Sequence, residues 1–310
     1  MKHFFNLTNT LIKTFITLFF ISFNANAQDL SEKTAACNAA LDKGNITNAI
    51  VVSDEILQLE PNNRDALLCK GRALGAQSPA AQGKYDAALS ALELAAKQSK
   101  SGFDEIISYL LIGNLHKANN KNVEAIASYE KSLKASETEK NDKFRLINHH
   151  LMGEAHTQNN DLNAALASYL AGSKLTKNDN ERADNFERLG ASYSALGQHD
   201  KAIEYQLKGV LMQKSVGTLD EYANASLALG RIYVAAKEYA NADKTYSNLA
   251  KFSNENGGAY YEAKANVGLA LSKIASGDAA AAKTWIDHAK LIAKETKDQA
   301  LALEIDQAIK

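Results

Sequence analysis

Four of the seven histidines lie within a short stretch of the chain, and they are the residues whose chemistry suggests a metal site or a pH sensor. They are His116, His149, His150 and His156. A zinc site needs several ligands that converge at about 2.0–2.1 Å on one ion, and adjacent helical residues such as His149 and His150 point about 100° apart. His116 and His156 take a position that tyrosine takes later in the chain. This favours rings packed between helices with bonded polar atoms, and the alternative is a metal or pH-sensing role.

Other catalytic chemistry finds no support in the residue patterns. The sequence contains no serine or cysteine nucleophile motif, no phosphate-binding loop and no metalloprotease helix. Carboxylate pairs are plentiful, but on exposed helical faces such runs are usually solvated surface. The formal net charge of −1 gives no global basic field for nucleic acid. We therefore expect no enzyme activity, no cofactor, no metal and no nucleic-acid partner.

The composition indicates which elements must position any functional residue. The chain has 310 residues, 45% of them hydrophobic, with only 17 glycines and 2 prolines. That is a globular composition with few residues that break helices. It disfavours an all-β fold with many tight turns and predicts an all-α protein.

The first 27 residues have the pattern of a secretory signal peptide. Lys2 and Lys13 are positively charged, an apolar run covers residues 15–23, and Ala25-Asn26-Ala27 is a small-x-small cleavage site. The alternative is a membrane anchor, but the apolar run is about half of the roughly 20 residues that span a bilayer. We expect cleavage after Ala27 and no stable membrane insertion afterwards. The protein would then be exported, and periplasmic if its source is a Gram-negative bacterium or otherwise secreted.

One residue pattern recurs along the rest of the chain. An apolar residue precedes a glycine, an aromatic residue or histidine usually follows three positions later, and an alanine comes after a turn. The glycines are Gly113, Gly153, Gly190, Gly230 and Gly268, separated by 40, 37, 40 and 38 residues. Twelve residues after each of the first four comes Ala125, Ala165, Ala202 or Ala242. Two looser copies precede them, from Cys37 to Ala49 and from Gly71 to Ala88. Such a fixed period is the signature of a repeat architecture.

Each copy predicts two helices that pack against each other. Apolar and small residues recur at helical spacing on both sides of a polar turn, and helices joined by a short turn must pack antiparallel. Because glycine inside a helix costs about 1 kcal/mol relative to alanine, five glycines at one register indicate close helix contact. The aromatic residue on the second helix would fill the space towards the next copy.

The pattern resembles the tetratricopeptide repeat family. The resemblance rests on Leu189-Gly190 with Tyr193, on Leu229-Gly230 with Tyr233, and on the fixed glycine-to-alanine step. The chain departs from the family in its longer period and in lacking the early tryptophan, since its only tryptophan is Trp285. The resemblance implies a right-handed α-solenoid of stacked antiparallel helix pairs.

The predicted organisation is a signal peptide over 1–27 and a single repeat domain over 28–310. The expected units lie near 31–62, 63–99, 103–138, 143–178, 180–215, 220–255 and 258–295, with a C-terminal capping helix over 298–310. The capping helix carries Leu301, Ile305 and Ile309 at helical spacing.

The two cysteines fall on the first helices of neighbouring units, and an exported protein can form disulfides. In the register of the repeats, however, Cys37 aligns with Gly71, two residues beyond Cys69. Since a bridge needs Cα atoms about 4.4–6.8 Å apart, this offset favours two buried thiols over a disulfide. Both alternatives stay open at this point.

By the same resemblance, partners bind a concave groove lined by the first helices. Its positions lie six and three residues before each glycine and one and four residues after it. The candidate groove residues are Ile107, Leu110, Asn114, Lys117, His150, Glu154, Asp184, Glu187, Leu227, Arg231 and Val234. Ile107, Leu110, Leu227 and Val234 are expected to be partly exposed, and Glu154, Asp184 and Glu187 to form an acidic centre that suits a basic segment.

The predicted function is therefore that of an exported, non-enzymatic scaffold or adaptor. It would bind a protein or peptide in its groove, and similar exported repeat proteins suggest envelope assembly or secretion by analogy. The alternative is an extracytoplasmic sensor or regulatory module that acts through a separate membrane signalling partner.

Overall fold

The structure is a computed structural model that describes residues 30–80 and 82–309. The predicted signal peptide lies outside the described residues. Within them the chain forms fifteen helices and one short 3-10 turn, with no strand, which confirms the all-α prediction. The helices are α1 (30–42), α2 (Ile46–Leu59), α3 (Arg64–Gln77), α4 (Gln82–Lys97), α5 (Gly102–Ala118), α6 (Asn122–Thr138), α7 (Asp142–Gln158), α8 (Leu162–Ser173), α9 (Asp179–Ala195), α10 (His199–Val216), α11 (Leu219–Ala235), α12 (Tyr239–Glu255), α13 (Ala259–Ser276), α14 (Ala279–Glu295) and α15 (Gln299–Ala308).

Polar residues fix where these helices begin and end. Asn63, Asn178 and Asp298 each accept a hydrogen bond from a backbone N–H in the first turn of their helix, which satisfies one of the donors that a helix start leaves free. The hairpin turns use one left-handed residue seven positions after the repeat glycine, for example Asn120 at φ 58° and Gly197 at φ 70°. Asparagine and glycine adopt this conformation most easily. The predicted turns are therefore where the hairpins close.

The chain divides into two compact units, residues 30–144 and 145–309. In the first unit, consecutive helices from α2 to α6 pack in chain order, and α3 also contacts α5. Their core contains Leu74, Leu92, Ile112 and Leu115. Each hairpin is thus covered by the next one along the chain, as a repeat architecture requires.

The second unit follows the same order from α8 to α15. First helices of successive hairpins also touch, since α9 contacts α11 and α11 contacts α13. The last helix, α15, buries Leu301 and Ile305 against α13 and α14, as the predicted capping helix should. Among the described residues no helix combines the length and apolar character needed to cross a membrane.

The repeat glycines lie where two helices touch most closely. A Cβ on Gly113 would fall 2.4 Å from the ring of Tyr129, and one on Gly153 would fall 2.4 Å from the ring of Tyr169. Real Cβ atoms do not approach this closely, so the prediction of small residues at helix contacts is confirmed at both positions. At Gly190 the facing residue is Gln206.

The cysteines correct the interpretation that favoured two thiols. Cys37 of α1 and Cys69 of α3 form a disulfide, with Cα atoms 6.4 Å apart. Both residues are buried in a cluster with Ala40, Ala49 and Ala73. The offset of two positions against the repeat register leaves the Cα separation within the range that a bridge allows.

Candidate functional site

Four of the predicted groove residues come together in the second unit, on α7 and α9. They are His150, Glu154, Asp184 and Glu187. His150 Nδ1 lies 3.3 Å from Asp184 Oδ2, and its Nε2 lies 3.1 Å from Asn185 Oδ1. The structure therefore pairs Asp184 of the predicted acidic centre with a half-buried histidine.

Arg188 of α9 links the two helices at this centre. Its Nη1 donates to Glu154 Oε1 at 2.7 Å and its Nε donates to Asp184 Oδ2 at 3.0 Å. Burial works against the guanidinium charge, but the bonds to Asp184 and Glu154 outweigh it and raise the pKa of Arg188 above its ordinary value. The guanidinium also lies 5.8 Å from the ring centroid of Tyr169, a cation–π contact. This cation therefore stays charged and fixed in place.

The histidine and glutamate of this centre both carry shifted pKa values. Burial, and then the Arg188 charge, lower the pKa of His150. Burial raises the pKa of Glu187, and the carboxylates of Asp184 and Glu221 raise it further. Glu187 accepts a 2.8 Å hydrogen bond from Gln213.

An acidic hollow of about 480 Å³ opens between α9, α10 and α11. Its lining consists of Asn180, Glu181, Asp184, Glu187, Gln213, Glu221 and Asn224. Four of these side chains are carboxylates and none is a cation, so the hollow presents a negative surface. Glu221 is anchored there because it forms a capping box with Thr218 at the start of α11.

A second hollow, of about 290 Å³, opens on the other side of α9, between α7, α8 and α9. Its lining consists of Glu154, Thr157, Gln158, Leu162, Ala165, Tyr169, Arg188, Ala191, Ser192 and Ala195. Six of these ten side chains are small, apolar or aromatic. Ala191 and Ala195 are exposed at its mouth, so the hollow is open to solvent.

Two of the apolar groove residues are buried, which corrects the expectation that they are partly exposed. Leu227 is 5% exposed and packs in a cluster with Ala265 and Leu269 of α13, and Leu110 is 7% exposed. Leu227 lies three residues before its repeat glycine, where α11 meets the next first helix. It belongs to the core rather than to a free surface.

The remaining groove candidates lie on α5 in the first unit and on α11 in the second. Ile107 and Lys117 are half-buried and Asn114 is exposed in the first unit, where Asn114 Oδ1 accepts a 2.8 Å hydrogen bond from Tyr129 Oη. In the second unit Arg231 is exposed and Val234 is half-buried beside the α11–α13 core. The structure gives these residues no shared site.

The histidine prediction is confirmed at His116. The ring is 8% exposed, and its Nδ1 lies 2.8 Å from Tyr85 Oη, which makes a hydrogen bond between helices. Burial lowers the pKa of His116. Across the residues that the structure describes, no three histidine, cysteine, aspartate or glutamate side chains are grouped so that they could hold a metal ion.

Sequence reasoning missed Arg188, Tyr169 and Ser192 as members of the site. The residue two positions after the repeat glycine is Leu115 or Ile232 in two repeats and alanine in α3, α7 and α13, so a small residue at Ser192 gave no distinct signal. All three residues belong to the site because of how α7, α8 and α9 pack together, which the repeat pattern does not specify.

Comparison of the sequence with protein families gives two matched segments. Residues 106–139 and 183–215 match the family model for the tetratricopeptide repeat. The matched segments are the hairpins α5/α6 and α9/α10. No curated protein matches the chain in sequence.

Solved structures with the same fold cover most of the chain. The apo form of RapI is similar with a TM-score of 0.68 and 12% identity, over 89% of this chain and 79% of that one. The C-terminal part of a tetratricopeptide-repeat-containing protein from Cytophaga hutchinsonii is similar with a TM-score of 0.59 and 15% identity, over 89% of this chain and 99% of that one. BtubC from P. vanneervenii gives 0.57 and 12%, over 72% and 92%. At these identities the likeness concerns the fold.

Proposed function

The chain is a tetratricopeptide repeat protein with the all-α solenoid class of fold, and from that premise we propose that it is an exported scaffold that binds a protein or peptide partner. Repeats of this kind present the exposed faces of successive helices as binding surfaces. The proposed binding face is that of α9 in the second unit, together with the parts of α7 and α11 that flank it.

The observation that carries the proposal is the pair of hollows on the two sides of α9. One is lined mainly by small and apolar side chains, and the other by four carboxylates. Interfaces gain affinity from apolar side chains buried in pockets and gain specificity and association rate from complementary charge. A single helix that presents both properties supports recognition of another chain.

Two observations support export. Residues 1–27 have the composition of a signal peptide, and Cys37 and Cys69 form a disulfide, which persists in oxidising compartments. The proposed location is the periplasm for a Gram-negative source and the extracellular medium otherwise. Envelope assembly or secretion is the proposed setting, and the partner rather than this chain would do any chemistry.

Affinity capture in the organism of origin tests the proposal. The tagged full chain is expressed from its own N-terminus, cross-linked in intact cells and purified, and the captured proteins are identified and quantified. The matched control is the double substitution Glu181→Lys and Glu187→Lys, which reverses charge in the acidic hollow. We expect one protein captured in near-stoichiometric amount by the natural chain and at least tenfold less by the control.

The outcomes against the proposal are equally definite. Equal recovery with both chains would contradict binding at α9, and recovery of no protein would contradict the scaffold function. Fractionation of the same cells tests export, because a chain that retains residues 1–27 and stays in the cytosol contradicts it. A membrane signalling protein as the captured partner would favour a sensor over a scaffold.

A further inference from the structure

The apolar hollow borders a repeat position that carries a large side chain in two other repeats and alanine in three, namely Ala73, Ala155 and Ala270. The position lies two residues after the repeat glycine. In the first unit it is occupied by Leu115, which is 5% exposed and packs in the core of α3, α4 and α5. In α11 it is occupied by Ile232, also 5% exposed, in a cluster with Tyr193 and Ala202. In α9 it is occupied by Ser192.

The geometry of Leu115 shows what Ser192 leaves open. The Cδ1 atom of Leu115 reaches the preceding first helix and would lie 3.2 Å from a Cβ placed on Gly75 of α3. Gly75 lies four residues after its repeat glycine, and the same register position on α7 is Thr157, which lines the hollow beside Ser192. Ser192 is turned away from this space, since its Oγ donates a 2.8 Å hydrogen bond to the carbonyl oxygen of Arg188. By this register, a leucine at position 192 would extend towards Thr157 and into the hollow.

The size of the hollow limits what can enter it. Its volume of about 290 Å³ is at the lower limit of the ~300–1,000 Å³ that is usual for small-molecule sites. Tyr169, Leu162 and Ala165 offer apolar contact, and dispersion contacts between such groups add up over a whole side chain. The space suits one aliphatic or aromatic side chain that enters from the exposed edge at Ala191 and Ala195.

The acidic hollow specifies what must accompany that side chain. Its carboxylates begin one turn before Arg188, and Asp184 lies eight residues from Ser192, which is about 12 Å along the helix axis. Because the two hollows open on opposite sides of α9, this axial distance is a minimum, and an extended chain at about 3.3 Å per residue needs at least four residues to bridge them. Since no cation lines the acidic hollow, the complementary group is a lysine or arginine.

We propose that α9 recognises an extended protein segment that carries an apolar side chain and, at least four residues away, a basic side chain. The apolar side chain fills the hollow at Ser192 and the basic one contacts Glu187 and Glu221. Arg188 stands between the hollows with its charge already neutralised by Glu154 and Asp184, so it does not repel the basic residue. This inference rests on the proposed scaffold function and gives the chemistry of its partner.

The test uses a random 12-residue peptide library displayed on phage and selected against the purified chain. Enriched peptides are synthesised with a fluorescent label, and their dissociation constants are measured by anisotropy. We expect an apolar residue at least four positions from lysine or arginine, with affinity that falls as salt increases because exposed charges are screened.

Paired variants test the apolar contact and the charged contact separately. Ser192→Leu places in α9 the residue found at Leu115 and should weaken these peptides at least tenfold, whereas the control Ser192→Ala should stay within twofold. The double substitution Glu187→Gln and Glu221→Gln should weaken them severalfold and reduce the salt dependence, because glutamine can still serve in a capping box. Melting temperatures measured for every variant check that it folds. Should Ser192→Leu not fold, Ala195→Leu fills the same hollow from its exposed edge.

Several results would overturn the inference. These are a selection that enriches no peptide, enriched peptides without the apolar–basic pair, or unchanged affinity in a folded variant with a filled hollow. Preference for a small apolar molecule or for a second copy of the chain would also overturn it. The scaffold proposal is tested separately. A partner captured from cells that still binds the Ser192→Leu chain removes this inference alone, whereas failure to capture any partner removes the scaffold function.

Discussion

The hairpins α5/α6 and α9/α10 match the same family model, yet they differ at two positions of the repeat register. In α5/α6 the repeat glycine faces the ring of Tyr129, and Leu115 fills the space towards α3. In α9/α10 the glycine faces Gln206, and the position of Leu115 is occupied by Ser192.

The comparison shows how the hairpin α9/α10 keeps its packing without the tyrosine. Gln206 is 1% exposed and donates a 3.0 Å hydrogen bond to the carbonyl oxygen of Ala225 on α11. The buried amide is therefore satisfied, and it ties the hairpin to the next one by a hydrogen bond where Tyr129 uses ring contacts. The two departures lie in different places, since Ser192 lines the hollow between α7, α8 and α9 whereas Gln206 joins α10 to α11.

The largest loss of stability is expected when the buried side chain of Leu115 is removed from the hairpin α5/α6. Leu115→Ser removes a buried side chain, leaves a cavity and buries a hydroxyl, so the free energy of unfolding should fall by about 3–4 kcal/mol. Denaturant unfolding followed by circular dichroism measures it. A loss below about 1 kcal/mol would show that Leu115 does not close the hairpin as described.

The two repeat glycines should differ in their tolerance of a methyl group. Gly113→Ala places a Cβ 2.4 Å from the Tyr129 ring, whereas Gly190→Ala places it 2.7 Å from Gln206 Oε1 and 3.0 Å from the Cβ and the backbone nitrogen of Gln206. Because the contacts at Gly190 are longer, we expect a loss of about 2 kcal/mol at Gly113 and a smaller loss at Gly190, while the gain in helix propensity is the same at both positions. Parallel thermal unfolding of the two variants compares them, and equal losses would contradict the distinction.

Filling the hollow beside Ser192 should raise the stability of the chain rather than lower it. Ser192→Leu fills an existing hollow with apolar atoms, so the free energy of unfolding should rise by about 1 kcal/mol, in the range of other cavity-filling substitutions. The same denaturation experiment measures it, with Ser192→Ala as the control that adds no volume. Destabilisation by Ser192→Leu would mean that the hollow cannot accept a side chain.

The smallest effect concerns the ionisation of Glu187. Burial, Asp184 and Glu221 raise the pKa of Glu187 in the folded chain, so the folded state binds this proton more tightly than the unfolded state. The resulting stability is present below the unfolded pKa and is lost as the pH rises through the folded pKa. Glu187→Gln should therefore be slightly more stable than the natural chain at pH 7, and this advantage should disappear near pH 4. Unfolding curves at the two pH values give the comparison.

How much of this could be predicted from the sequence depends on the kind of residue. A glycine followed twelve residues later by an alanine, as in Gly113 and Ala125, recurs along the chain. Because close helix packing excludes larger side chains, this repeat predicted the hairpins and their contacts. Leu110 and Leu227 were placed on the groove face by register alone. Periodicity gives the direction of a side chain but not the position of the neighbouring helix that covers it.

The acidic centre shows a similar limit. The spacing of Glu154, Asp184 and Glu187 predicted that these carboxylates share a face. In the structure Arg188 links Glu154 to Asp184, and Asp184 lines the acidic hollow with Glu187. It did not predict that Arg188 bonds to Glu154 on a different helix, because partners thirty or more residues apart depend on how two hairpins are rotated against each other. For the same reason, the repeat register did not predict the disulfide between Cys37 and Cys69.

That bridge has a consequence for how the molecule comes apart. A hairpin at the end of a row is held by one neighbour only, and so it is expected to fray first. The covalent link closes a segment of 32 residues and is worth about 3–4 kcal/mol in the chain-entropy account. Hydrogen exchange under oxidising conditions should therefore begin at α14 and α15. After a reductant is added, the earliest exchange should shift to α1 and α2.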